Sequence, residues 1–145
     1  MAIQSTIITL AVLFATAFAP SLIYLTWIRN REKFAHEPIA ILLSTFVYGA
    51  VVGVIVSYLF ETLIVQVYTQ FQSPPLLEAI VPTLVIAPIV EEGVKPIGVY
   101  ILRNMKSFIH PIDGAIYGAG SGLGFAATEN LIYESQALLR YGFSA

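Results

Sequence analysis

Four long apolar segments, separated by short polar connections, make up most of this chain. They cover approximately residues 3–28, 38–60, 76–102 and 108–133. Each exceeds the ~20 residues that an α-helix needs to cross the hydrocarbon core of a bilayer. Backbone groups in lipid must find their hydrogen bonds within the protein, so helices are the favoured spanning element. The pattern predicts an all-α membrane bundle of about four transmembrane helices, forming a single integral-membrane helical domain.

The composition supports the membrane class. The chain has 145 residues, of which 57% are hydrophobic and only 11% are charged, whereas a soluble domain carries about a quarter charged residues. The net charge of −2 and the lack of a long basic tract argue against a nucleic-acid partner. Cysteine is absent, which excludes disulfides, Cys-ligated zinc and thiol catalysis. We therefore expect the protein to be embedded in a lipid bilayer.

Basic residues predict the orientation of the bundle. Five of the seven Lys and Arg residues lie in the connections 29–37 and 103–107. Since positive charge concentrates on the cytoplasmic side, we expect both loops to be cytoplasmic and the N-terminus to lie outside. No basic residue precedes Arg29, so the N-terminus lacks the charged region of a cleaved signal peptide. The first helix is therefore expected to be retained.

Charged residues inside the third segment are the strongest functional signal. Glu91, Glu92 and Lys95 lie within five residues, and the centre of a membrane helix disfavours each such charge by roughly 2.5–3.5 kcal/mol. On a helix, either acid can reach the lysine, which lies three or four residues away. One carboxylate paired with Lys95 leaves the other to act as a general base. The alternative is an ion pair that only holds helices together.

A further acid lies in the fourth segment, where Glu129 precedes Asn130. Three carboxylates converging in a low-dielectric site require a cation or shared protons, and glutamate is a plausible ligand for zinc. In straight antiparallel helices Glu129 would lie a turn or two from Glu92, so a kink at the prolines or in the glycine run is expected. We also expect that run, between Gly114 and Gly124, to pack closely against the third helix.

Two polar residues open the fourth segment. Asp113 is a candidate N-cap or interfacial anchor, and His110 is a candidate metal ligand or proton carrier. His36 lies in a charged loop and is expected to be solvated. No HExxH sequence is present, which excludes the ordinary zincin arrangement.

The motifs together resemble the PrsW family of intramembrane proteases, distant relatives of the type II CAAX prenyl endopeptidases. The family's EExxK motif corresponds to Glu91, Glu92 and Lys95. A second block follows in the expected order, covering Pro111-x-Asp113-Gly114, Tyr117-Gly118, Gly122-Leu123-Gly124-Phe125-Ala126, Glu129-Asn130 and Tyr133. The resemblance extends over about residues 85–135.

This resemblance implies an intramembrane endopeptidase that hydrolyses a peptide bond of a membrane protein or peptide with a glutamate-activated water. Glu91, Glu92 and Glu129 would be catalytic, Glu129 standing where the relatives carry the His of an FxxxH motif. Lys95 and Asn130 would bind substrate or stabilise the oxyanion.

The resemblance also implies a cofactor and a longer fold. The expected cofactor is a divalent metal such as zinc, with Glu129 and His110 as candidate ligands. The family carries a further His-bearing helix beyond the second block, which these 145 residues do not include. We therefore expect the N-terminal part of a longer family fold, or a chain completed by a homo- or hetero-oligomeric partner.

Two other functions compete with proteolysis. A non-catalytic scaffold could use the same polar pocket to bind a partner helix. A proton or ion pathway is the other, because paired acids within a bilayer also mark relays. The single polar cluster and the lack of an inverted repeat make transport the weaker of the two.

Overall fold

The computed structural model describes residues 2–31, 38–71, 73–102, 108 and 110–142. Every regular element in these ranges is helical, which confirms the all-α prediction. We number four helices. Helix α1 is Ala2–Arg31, and α4 is Pro111–Tyr141. Helices α2 and α3 are each built from several consecutive pieces.

Helix α2 runs without a gap but changes its hydrogen-bonding pattern along the way. It consists of Ile39–Val47, a π-helical stretch Tyr48–Gly53, Val54–Tyr68 and a short 3-10 turn Thr69–Phe71.

Helix α3 is more strongly interrupted. It consists of Pro75–Val81, a π-helical stretch Pro82–Ile86, Ala87–Val94 and, after a break, Ile97–Leu102.

Two helices of the described chain are long and apolar enough to cross a membrane. These are Thr6–Arg31 in α1 and Ile39–Phe71 in α2, and they overlap the first two predicted spans. Many large apolar side chains on them are exposed, as expected for a surface in contact with lipid. The molecule is thus an all-α membrane bundle, while spans 76–102 and 108–133 remain predictions. Residues 32–37 and 103–107, which carry most of the basic charge of the predicted cytoplasmic loops, lie outside the described residues.

Glycines bring α2 and α4 into backbone contact. A Cβ atom added to Gly49 would overlap the carbonyl of Ser121, and one added to Gly124 would overlap the carbonyl of Phe46. Small residues of this kind let membrane helices approach closely, which increases their van der Waals contact. The two helices are therefore held in one register by residues that have no side chain.

The glycine run does not pack as the sequence suggested. Gly120 and Gly124 face α2, whereas a Cβ at Gly118 or Gly122 would meet nothing within 4 Å. The expectation of close packing mainly against α3 was wrong. Helix α4 packs chiefly against α1 and α2 and contacts α3 over a shorter length. The reason is geometric, because the matching glycine, Gly49, lies on α2.

Helix α1 also packs against α4. The buried cluster shared by α1, α2 and α4 includes Leu25, Leu42, Phe46 and Tyr117. A polar contact lies beyond this cluster, where Thr16 Oγ1 donates a hydrogen bond to Glu134 Oε2 at 2.6 Å. Apolar packing and this bond together fix α1 against α4.

Asp113 stabilises the start of α4, although it is not the N-cap residue. His110 occupies the N-cap position, and its backbone N–H donates to Asp113 Oδ2 at 2.7 Å. Asp113 itself is 4% exposed. An acidic side chain in the first turn also interacts favourably with the positive end of the helix dipole.

The glycine contact predicts a difference between two neighbouring substitutions. Gly124→Ala should destabilise the protein by about 1–3 kcal/mol, because its methyl group would displace the α2 backbone. Gly122→Ala is the matched control, and it should be neutral or stabilise by up to about 1 kcal/mol, since alanine favours a helix. Unfolding of both variants in detergent would measure this, and equal stabilities would contradict the proposed contact.

Candidate active site

A break in α3 forms one side of the candidate site. Proline has no N–H, so Pro96 cannot donate to the carbonyl four residues earlier, and the helix is interrupted at residues 95 and 96. Two hydroxyl groups from other helices support the backbone here. Tyr48 donates to the carbonyl of Val94 at 3.2 Å, and Ser121 donates to the carbonyl of Lys95 at 2.8 Å. Side chains of α2 and α4 therefore fix the position of Lys95.

Lys95 is the centre of a small charged group. Its Nζ lies 3.3 Å from Glu91 Oε2 and 2.7 Å from Glu92 Oε1. It also lies 4.5 Å from the centre of the Phe125 ring, within the range of a cation–π interaction. The side chain of Lys95 is 19% exposed and that of Glu91 is 20% exposed, whereas Glu92 is 73% exposed. The two acids of the pair therefore differ in their surroundings.

The π-helical stretch of α2 has a similar connection to α4. Thr128 Oγ1 donates to the carbonyl of Ala50 at 2.7 Å. Stretches of π-helix leave local irregularities in backbone pairing and are frequent at functional sites. Because Thr128 immediately precedes Glu129, this bond helps to fix the position of Glu129 relative to α2.

Three carboxylates from three different helices share one pocket. Glu61 of α2, Glu91 of α3 and Glu129 of α4 line a cavity of about 120 Å³, and their charges are close enough to interact. Tyr133 lies one turn beyond Glu129, and the two side chains are close enough to interact. The remaining lining residues are Val54, Ser57, Tyr58, Phe125 and Ile132.

The register of α3 and α4 brings Glu91 and Glu129 together. Lys95 lies over Phe125, Glu91 is one turn before Lys95, and Glu129 is one turn after Phe125. Because the two helices run in opposite directions here, one turn along each leads to the same level. We expected a gap of a turn or two between Glu129 and Glu92, and in the structure Glu91 rather than Glu92 lines the pocket with Glu129.

Comparison with known proteins identifies the family. The model of the PrsW family intramembrane metalloproteases matches residues 37–144, which is well over half of the chain. The chain belongs to the PrsW family. Two curated relatives support the assignment. The chain is 38% identical over 122 residues to Protease PrsW of Clostridioides difficile (strain 630) and 27% identical over 122 residues to Protease PrsW of Geobacillus kaustophilus (strain HTA426).

The alignments cover a larger fraction of this chain than of the two relatives. Each alignment covers 83% of this chain but only 50% and 51% of the two relatives, respectively. The chain thus spans about half the length of the curated PrsW proteins that it matches. No solved structure matches the chain.

The PrsW motif residues do not all reach the pocket. Glu92 is mostly exposed and contacts Lys95, and Asn130 is exposed and does not line the pocket. His110 lies 19 residues before Glu129 along α4, a distance of about 28 Å on a helix. These two candidate metal ligands therefore cannot bind the same ion within this chain.

The described residues do not form a complete binding site for the metal of the PrsW family. No three His, Asp or Glu side chains in these ranges are arranged to hold a metal ion. Glu61, Glu91 and Glu129 share a pocket, but they do not form such a group. The available donors are carboxylate and hydroxyl oxygens, while histidine, a common zinc ligand, is absent from the pocket lining.

Sequence reasoning missed two pocket residues, Ser57 and Glu61. Glu61 lies directly after the predicted end of the second span at residue 60, and the sequence pattern gave it no role. The helix in fact continues to Tyr68. A single acid within the apolar run from Val54 to Val67 was the available signal, because ionisable residues in membrane helices generally mark functional sites.

The hydroxyl support of the α3 break can be tested by its removal. Ser121→Ala should lower stability by about 1–3 kcal/mol, because it leaves the buried carbonyl of Lys95 without this donor. Ser44→Ala is the control, since Ser44 is exposed and bonds only to Ile41 of its own helix. Unfolding in detergent gives both values. A loss for Ser44→Ala as large as that for Ser121→Ala would show that the interhelical bond has no special role.

Proposed function

We propose that this PrsW-family chain forms part of an intramembrane endopeptidase in which Glu91 activates water for attack on a peptide bond. The observation that carries the proposal is that Glu91 and Glu129, from separate helices and separate family motifs, line one small pocket. The pocket lies on a membrane bundle, which is where a substrate helix would be met. Family membership supports proteolysis as the reaction.

Glu91 is the better general base of the adjacent acids. It lies on the pocket wall and is mostly buried, whereas Glu92 is mostly exposed. In the proposed reaction, the oxygen of water bonds to the substrate carbonyl carbon while Glu91 accepts a proton. The tetrahedral intermediate then collapses, the C–N bond breaks, and that proton passes to the leaving nitrogen. The atoms of water are thereby divided between the two products.

Lys95 is suited to balance the charge that develops on the carbonyl oxygen. Its ammonium group is held by both acids of the pair and by the Phe125 ring. A fixed positive group near a developing oxyanion lowers the barrier most when it needs no rearrangement. In this proposal Glu92 helps to position Lys95, and Glu129, beside Tyr133, holds a second proton of the pocket.

The remaining sequence assignments keep their status as predictions. Asn130 is exposed on α4, so a substrate hydrogen bond from it requires the substrate to contact that outer face. A divalent metal such as zinc belongs to the family description, and no step above is assigned to it. The substrate class is a membrane protein or peptide. The proposed orientation, with the N-terminus outside, follows from the basic residues of the loops.

The proposal predicts a large effect of removing the Glu91 carboxylate. Glu91→Gln retains size and hydrogen bonding but cannot accept the proton, so cleavage should fall about 100-fold or more. The measurement is the abundance of new peptide termini in membranes of cells expressing the protein, determined by mass spectrometry. Glu129→Gln should reduce the same termini.

Glu78→Gln is a matched control because Glu78 is an exposed acid in the first turn of the same helix, α3. It should leave the termini unchanged. A large drop for Glu92→Gln, with Glu91→Gln still active, would assign the base to Glu92. Termini that persist undiminished in a Glu91→Gln/Glu92→Gln variant would exclude this acid pair as the base. A partner that co-purifies with both forms of the protein, with no new termini in either, would favour a partner-binding scaffold.

A further inference from the structure

Ser57 and Glu61 form a polar pair on α2 outside both family motifs. They lie four residues apart, so they occupy neighbouring positions on one face of the helix. Both line the pocket that contains Glu91 and Glu129. The residues between and beyond them, Leu59 and Leu63, are 56% and 59% exposed and do not line it. Helix α2 thus turns a polar stripe towards the acids and an apolar surface outwards.

The Ser57 hydroxyl is unusual because it is buried without a partner. The residue is 2% exposed, and its Oγ forms no hydrogen bond with any described residue. Serines in membrane helices often donate to a carbonyl of their own helix, as Ser44 does. A buried polar group without a hydrogen bond costs free energy, so this hydroxyl points to a missing partner in the pocket that it lines.

The chemistry of the pocket identifies that partner as water. A carboxylate accepts hydrogen bonds when it is ionised, and a protonated carboxyl group still accepts at its second oxygen. The three acids Glu61, Glu91 and Glu129 therefore favour an occupant that donates. A substrate carbonyl cannot donate, whereas water donates two hydrogen bonds and also accepts one from a hydroxyl. The volume of about 120 Å³ has room for several water molecules.

We propose that Ser57 and Glu61 line a water compartment that extends along α2 to Glu91, and that they position the water used in hydrolysis. Phe125 and Ile132 add apolar walls to this compartment. The purpose assigned to the compartment depends on the proposed proteolysis, but its existence does not. Ser57 and Glu61 act as positioning residues, while Glu91 contacts the reacting water.

The chain is well suited to a direct test of water access because it contains no cysteine. Single cysteines are placed at residues 57, 59, 61 and 63 by Ser57→Cys, Leu59→Cys, Glu61→Cys and Leu63→Cys. In membrane vesicles, each reacts with a small, water-soluble methanethiosulfonate reagent. The reactive form is the thiolate, which forms where water is present. Successive test positions differ in depth by only about 3 Å.

The expected result is an alternating pattern of reaction rates. A cysteine at 61 should react about 10-fold faster than those at 59 and 63, and one at 57 should react faster than one at 59. Rates that change steadily from 57 to 63 would reflect only depth in the membrane and would overturn the proposal. Equal labelling of all four after denaturation confirms that each thiol is intact.

Three further variants test the positioning role. Glu61→Gln should reduce the new peptide termini about 10-fold, and Glu61→Asp should restore part of the loss. Ser57→Ala should also reduce cleavage, although it breaks no hydrogen bond between described protein groups and should therefore not lower the unfolding midpoint. Parallel losses of stability and cleavage would indicate a structural role and overturn the assignment.

The labelling and cleavage experiments together distinguish the water compartment from the proposed proteolysis. An alternating labelling pattern in a protein that yields no new termini would retain the water compartment and reject proteolysis by this chain. New termini that depend on Glu91 but not on Glu61 or Ser57, together with a steady labelling gradient, would retain proteolysis and reject the compartment.

Discussion

Backbone contact between α2 and α4 is the constraint on which the rest of the structure depends. Gly49 lies against Ser121, and Gly124 lies against Phe46, so closely that no Cβ fits at either glycine. In a bilayer, helices gain little from hydrophobic burial, and close packing becomes a principal source of association. The contact sets the register of α4, and that register determines where Glu129 and Ser121 meet α3.

Hydroxyl groups that form hydrogen bonds between the helices fix the geometry of the candidate site. The irregular parts of α2 and α3 receive hydrogen bonds from Tyr48, Ser121 and Thr128, each on a helix other than the one it supports. Interrupted helices are tolerated in membranes when neighbouring side chains satisfy the backbone. The breaks are thus compatible with stability, and they allow Lys95 to face Phe125 while Glu91 faces the pocket.

Sequence predicted much of the architecture because its strongest signals are local. Long apolar runs indicated a helical membrane bundle, and the spacing of Glu91, Glu92 and Lys95 predicted the ion pairs that the structure contains. The partner of the glycine run was wrongly predicted, since one glycine stripe does not reveal which helix carries the complementary one. Glu61 and Ser57 were missed because their meaning depends on tertiary contact: in sequence they are single polar residues, one of them just beyond an estimated boundary.

The placement of Lys95 also bears on how the chain enters the bilayer. Its two ion pairs join residues three and four apart, so they form as soon as this piece of α3 becomes helical. Partial neutralisation therefore precedes contact with any other helix and reduces the cost of transfer into lipid. Glu61 and Glu129 lie on different helices and have no Lys or Arg within four residues in the sequence. Their burial must therefore await the packing of α2, α3 and α4. The bundle should therefore form in two steps. The ion pairs of Lys95 form first, within one helix, and the acids of the other helices are buried later, when the helices pack together.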